Sequence, residues 1–137
     1  MFKELVQVSF DKIVQTRSYA VVVLGMPEKR FAIYADPTVG RRLQMLLTGE
    51  TKPRPQTHEL LYMLFQGLGI RIKQIVINDL QDTIYFARLF LEQQRGDLRH
   101  IIEVDARPSD CITIALMANV PIFCTREVLE KTVALED

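Results

Sequence analysis

The stretch CITIALMA at residues 111–118 limits the fold more than any other part of this chain. Cys111, Ile112, Ile114, Ala115, Leu116, Met117 and Ala118 recur so densely that a helix built from them keeps almost no polar face. A helix apolar all round has to be buried. Pro108 is preorganised for a first helical position and Asn119 suits a helix end, so the pattern predicts a helix that begins at Pro108 and stops at Asn119. With 137 residues, the chain is expected to form a single domain over 1–137 around one core that holds this helix.

The elements expected to surround it follow from period and punctuation. Leu5, Val6, Val8, Phe10, Ile13 and Val14 alternate in part, and residues 19–24 (YAVVVL) are nearly all apolar, as in a strand covered on both faces. A Gly25-Met26-Pro27-Glu28 turn then leads to a third strand over residues 30–35. Asp36-Pro37 reads as a helix cap and first turn, with Gly49 as its stop. Lys52-Pro53-Arg54-Pro55 reads as a stiff connector. Thr57 opens a second helix with an apolar stripe of Leu60, Leu61, Leu64, Phe65 and Leu68. Residues 71–79, 83–91 and 98–105 read as an antiparallel meander, residues 121–124 as a short strand and residues 126–132 as a last helix. Strands and helices come in runs rather than in alternation, which argues for an α+β fold with three main helices.

Charge narrows the function classes. Seventeen basic residues balance seventeen acidic ones, against the basic excess of a general nucleic-acid binder, although a local basic patch stays compatible. Arg41-Arg42, Lys52-Arg54 and Arg71 with Lys73 are small groups that read as ordinary surface charge or as a phosphate-tracking groove. Tyr34, Tyr62, Tyr85 and Phe86 are candidate base-stacking groups, but each sits in an apolar pattern that reads as core. Cys111 and Cys124 have no metal-ligand spacing and read as core thiols of a reducing, cytoplasmic protein. The N-terminus carries charge where a signal peptide needs an apolar stretch, and no apolar run is long enough to span a bilayer, so no membrane association is expected.

The chemistry concentrates in IIEVDARPSD at residues 101–110. Glu103 and Asp105 lie two apart on a strand and share a face, with Ile102 and Val104 expected to face the core. Asp110 falls in the first turn of the buried helix, where its charge suits the helix dipole and where Ser109 and Asp110 lie beside free amides. Glu103, Asp105 and Asp110 can be read as carboxylates around Mg²⁺ or Mn²⁺. They can also be read as structural, with Asp110 a cap and Asp105 an ion-pair partner of Arg107, which is the commoner situation for such acids. His58, at the start of the second helix in RPQTHELL, is either a proton carrier or phosphate contact, or a histidine bracing the connector; both readings stay open. Arg54-Pro55 and Arg107-Pro108 each stand before a helix, a hint of two related halves.

RPQTHELLYMLFQGLG (54–69) and EVDARPSDCITIALMANVPIF (103–123) resemble the bifunctional nuclease family, whose members carry an RP-x-THDL block, a D-[AS]-RPSDA block and a closing PI strand. INDLQDTIYFARLFL (77–91) is similar to the family's middle stretch, so the resemblance runs over essentially the whole chain. The family's THD reads THE here, with Glu59, and its RPSDA reads RPSDC, with Cys111. The resemblance implies a compact α+β domain with a mixed, curved, largely antiparallel sheet, a homodimer, and RNase and DNase activity of the kind ascribed to plant members. The motif residues by position are Arg54, Thr57, His58, Asp105, Arg107, Pro108, Ser109 and Asp110. On this reading His58, Asp105 and Asp110 are the candidate catalytic groups. Arg54, Arg107 and Ser109 are the candidate phosphate contacts, and Glu103, Asp105 and Asp110 the candidate ligands of Mg²⁺ or Mn²⁺. The alternative is a non-catalytic homodimeric module binding a small anion, nucleic acid or a protein. Everything catalytic requires residues roughly fifty apart in sequence to meet in space.

Overall fold

The computed structural model describes residues 4–50, 54 and 56–136. The elements come in the expected order: β1 (Leu5–Gln15), β2 (Ala20–Met26), β3 (Lys29–Ala35), α1 (Pro37–Thr48), α2 (Thr57–Gly67), β4 (Ile70–Gln81), β5 (Ile84–Arg95), β6 (Leu98–Ala106), α3 (Pro108–Ala118), β7 (Ile122–Thr125) and α4 (Arg126–Lys131). The seven strands form one open mixed sheet in the order β3-β2-β1-β7-β4-β5-β6. Every neighbouring pair is antiparallel except β4 with β7, which run parallel, so the fold is α+β. The short β7 joins the two meanders by pairing with β1 on one side and β4 on the other.

Local chemistry explains most boundaries. Asp36 caps α1 by accepting the Thr38 N–H at 2.8 Å, and Pro37 occupies the first turn. Gly49 closes the same helix with φ 71°, a left-handed conformation that costs any other common residue about 1 kcal/mol. Asn119 ends α3 with φ 55°. Two-sided burial of β2 holds: Ala20, Val22, Val23 and Leu24 are all buried. Of the connector at residues 52–55 only Arg54 is described, and it is exposed; the rest lies outside the described residues.

The apolar helix α3 is the centre of the core, with Cys111, Ile112, Ile114 and Ala115 buried against strands that supply Ile75, Ile77, Leu89 and Cys124. α1 seats close to the sheet because position 40 is glycine: a Cβ there would lie 2.5 Å from the Ala20 Cβ.

Two expectations need correction. Most of the α2 stripe faces outward: Leu60, Leu64 and Leu68 are at least half exposed, and of the stripe only the partly buried Phe65 packs against the core, together with Tyr62. Ile102 and Val104 are each 39% exposed rather than core residues. They share the face of the buried Leu91 and Leu89, their cross-strand partners, but β6 is the sheet's last strand and nothing described covers it. Periodicity reports which residues share a face; it does not report whether that face has a neighbour.

Candidate active site at two helix entrances

The N-termini of α2 and α3 meet. His58, in the first turn of α2, places its Nε2 2.8 Å from Asp110 Oδ1 in the first turn of α3, across 52 residues of sequence. Arg107, the residue before α3, donates from Nε to Asp110 Oδ2 at 2.8 Å and from a terminal nitrogen to Oδ1 at 3.2 Å. One carboxylate thus holds an imidazole on one side and a guanidinium on the other.

The positions follow from capping. Gln56 precedes α2 and donates its N–H to Glu59 Oε1 at 3.3 Å, so the acidic residue of the THE triplet serves the helix start and His58 is turned inward. The imidazole is 11% exposed, the Asp110 side chain 26% and the Arg107 side chain 69%, a gradient running from core to solvent. Ser109 is buried, and its carbonyl accepts from the Thr113 hydroxyl at 2.8 Å, which steadies the first turn of α3.

Electrostatics favours the charged form of Asp110. Burial alone would raise its pKa, but hydrogen bonds from Arg107 and His58, and the charges behind them, outweigh burial and hold it below the ordinary carboxylate value of 3.8. Arg107 is shifted upward, chiefly by its hydrogen bond to Asp110. Because the ionised carboxylate only accepts, the imidazole donates at Nε2, and in the neutral ring Nδ1 keeps the lone pair. Such an arrangement can orient a proton carrier and present a cation to a phosphate.

The remaining candidates stand elsewhere. Glu103 and Asp105 lie exposed on β6, with Phe90 and Arg88 as their cross-strand partners. Glu103 pairs with Arg88 at 3.6 Å. The ion pair expected between Asp105 and Arg107 gives way to Arg107 with Asp110. Arg54 is exposed, in a bend before α2. Among the described residues, no group of three or more His, Cys, Asp and Glu side chains is arranged to hold a metal ion. Both Asp110 oxygens are engaged by donors, so a cation shared by Glu103, Asp105 and Asp110 does not fit the side chains as they stand. Arg71 and Lys73 converge on Glu92 at 3.5 and 3.0 Å, with Arg99 at 4.0 Å; the Lys73 hydrogen bond is the main cause that lowers the Glu92 pKa. Cys111 and Cys124 are free, buried thiols raised by burial to about 12 and about 11, which suits core packing and not nucleophilic work.

Sequence reasoning missed the hollow on the other side of Arg107. About 340 Å³ in size, it is bounded by Tyr34, Asp36, Ile84, Tyr85, Arg107 and Ser109, among others. The apolar pattern around Tyr34 reads as core, yet the residue is 66% exposed. The signal was present in β3, where Phe31 and Ile33 are buried and Tyr34 falls in the alternate set.

The profile of the bifunctional nuclease domain matches residues 22–136. The chain belongs to the bifunctional nuclease domain family. An uncharacterized protein of Mycobacterium tuberculosis is 40% identical over 83 residues, 61% of this chain and 46% of its own length. Bifunctional nuclease 2 of Oryza sativa subsp. japonica is 36% identical over 75 residues, 55% of this chain and 23% of the rice protein. Bifunctional nuclease 1 of Arabidopsis thaliana is 28% identical over 80 residues, 58% of this chain and 24% of the plant protein. The chain thus spans less than half the length of these curated relatives. No described helix of this family member is long and apolar enough to cross a membrane.

Proposed function

We propose that this chain is a nuclease that hydrolyses phosphodiester bonds of RNA, DNA or both, working at the junction of α2 and α3. The observation that carries the reading is the 2.8 Å contact between His58 and Asp110, with Arg107 on the same carboxylate. His58 moves the proton, Asp110 fixes the ring and its tautomer, and Arg107 meets the phosphate, with Ser109 beside it. Asp105 and Arg54 are outer candidates, at the end of β6 and ahead of α2. No step is routed through a divalent cation. Mg²⁺ or Mn²⁺ at Glu103, Asp105 and Asp110 would require Arg107 to leave Asp110. The names of the plant relatives support the nucleic-acid substrate. The two free thiols fit a cytoplasmic location.

Highly purified protein, assayed on RNA and DNA with chelator, Mg²⁺ or Mn²⁺, tests this directly. His58→Ala is expected to lower turnover about 100-fold or more, the usual worth of a positioned acid–base group. Asp105→Asn separates the outer carboxylate from the inner one. Activity equal to wild type in His58→Ala would remove the proposed centre.

A second reading is a homodimeric module that binds without cutting, and the surface supports its dimer. The β6 strand is exposed along all of Leu98–Asp105, its outer edge pairs with no described strand, and the α2 leucines lie open. A second copy could pair β6 with β6. Dimerisation is compatible with either reading; only the cleavage assay separates them.

A further inference from the structure

The hollow beside Arg107 does not end at the two tyrosines. Tyr34, Thr83 and Tyr85 also wall a second hollow of about 270 Å³, which continues to Lys131 and Val133. The two hollows share Tyr34, Thr83 and Tyr85 as walls, so they flank the same two rings at the end of β3 and the β4–β5 turn, a surface called the groove below. A cation lines each hollow: Arg107, 69% exposed and held on Asp110, and Lys131, 49% exposed and 3.5 Å from Glu127. Between them are two phenol rings of different exposure. Tyr85 is half-buried and stacked on Phe31, ring centres 6.0 Å apart at 23°. Tyr34 stands out to solvent, supported edge-on by Tyr19 at 5.5 Å. Asp36 lines the Arg107 half and Asp82 the Lys131 half.

We propose that this groove binds single-stranded nucleic acid, with an unpaired base against Tyr34 and Tyr85 and successive phosphates on Arg107 and Lys131. The choice of occupant rests on the nuclease reading above; the groove itself does not. Each aromatic face is sequence-tolerant, since every base has a π-face to stack. Asp36 and Asp82 repel phosphate along the walls and confine it to the two cations. A duplex keeps its base faces stacked inside and presents only backbone and base edges, so it gains no stacking from the tyrosines. Arg107 is common to the groove and to the His58–Asp110 pair, so a strand lying here brings a phosphate to the proposed reacting end.

The test is binding rather than cleavage. Anisotropy of a labelled, cleavage-resistant phosphorothioate hexathymidylate is measured with the full chain, against a blunt-ended duplex that has no unpaired bases. Tyr34→Ala is expected to weaken the single strand about 5- to 150-fold, and Tyr34→Phe to stay near wild type. Lys131→Ala is expected to flatten the dependence of log affinity on log salt by about 0.7, the share of one phosphate on a single strand. Arg95→Ala, which removes the same charge at the other end of the sheet, should leave both measures alone. Single-strand affinity unchanged in Tyr34→Ala, an equal loss in Arg95→Ala, or no binding by wild type would overturn the groove. Tyr34-dependent binding by a protein that cuts nothing would keep the groove and remove the nuclease. Cleavage lost in His58→Ala beside intact binding in Tyr34→Ala would do the reverse.

Discussion

Asp110 illustrates how one residue serves packing and chemistry at once. Its carboxylate receives the His58 imidazole and the Arg107 guanidinium, and both favour the ionised form. Because its folded pKa lies below the unfolded value of 3.8, this group stabilises the native state fully above that value. The contribution is lost as pH falls through the lower, folded value. Asp110→Asn should therefore be about 1–3 kcal/mol less stable than wild type at neutral pH, the usual worth of hydrogen bonds to a charged group. The gap should close only below pH 3.8, as chemical denaturation at a series of pH values would reveal. A gap unchanged into strong acid would mean that the carboxylate's charge does not matter. The sequence already marked His58, Arg107 and Asp110. It could not say which acid Arg107 would choose, because Asp105 and Asp110 stand two and three residues from it on opposite sides and only the turn into α3 decides between them.

At the scale of elements, α1 shows a conflict between local propensity and packing. Glycine inside a helix costs about 1 kcal/mol relative to alanine. Yet a Cβ at Gly40 would meet Gln15 Oε1 at 2.1 Å and Ala20 Cβ at 2.5 Å. Gln15 is itself tied to α1 through its Nε2 and the Pro37 carbonyl at 3.2 Å, and Ala20 is a fully buried strand residue. Gly40→Ala should therefore destabilise, by up to about 2 kcal/mol net of its helix gain, since an overpacking cost of about 1–3 kcal/mol exceeds a propensity gain of about 1 kcal/mol. A rise in melting temperature would show that α1 is free to move away from β2. The contrast between α2 and α3 is of the same kind. Both carry apolar residues in plenty, but α3 is covered on all sides and α2 on one. Apolar content fixed neither outcome alone; the order of strands did, by placing β4 and β5 under α3.

At the scale of the whole molecule, the exposed leucines of α2 and the open edge of β6 lie at the same end of the sheet. Gln93 on β5 donates to the Leu68 carbonyl at 3.0 Å and is the cross-strand partner of His100. Monomeric proteins seldom leave exposed leucines and an open strand edge together. Analytical ultracentrifugation is expected to find a dimer at micromolar concentration, and Leu64→Glu combined with Ile102→Lys is expected to give a folded monomer. A wild-type monomer at that concentration would sink this expectation. The sequence by itself determined the element order, the caps at Asp36, Gly49 and Asn119, and the burial of α3, because these depend on periodicity and on backbone preferences within a few residues. Only the tertiary structure decided that β7 joins two meanders, that β6 is left at an edge, and that His58 reaches Asp110. Those outcomes depend on which distant segments become neighbours, and a pairing across fifty residues leaves no periodic trace in either segment.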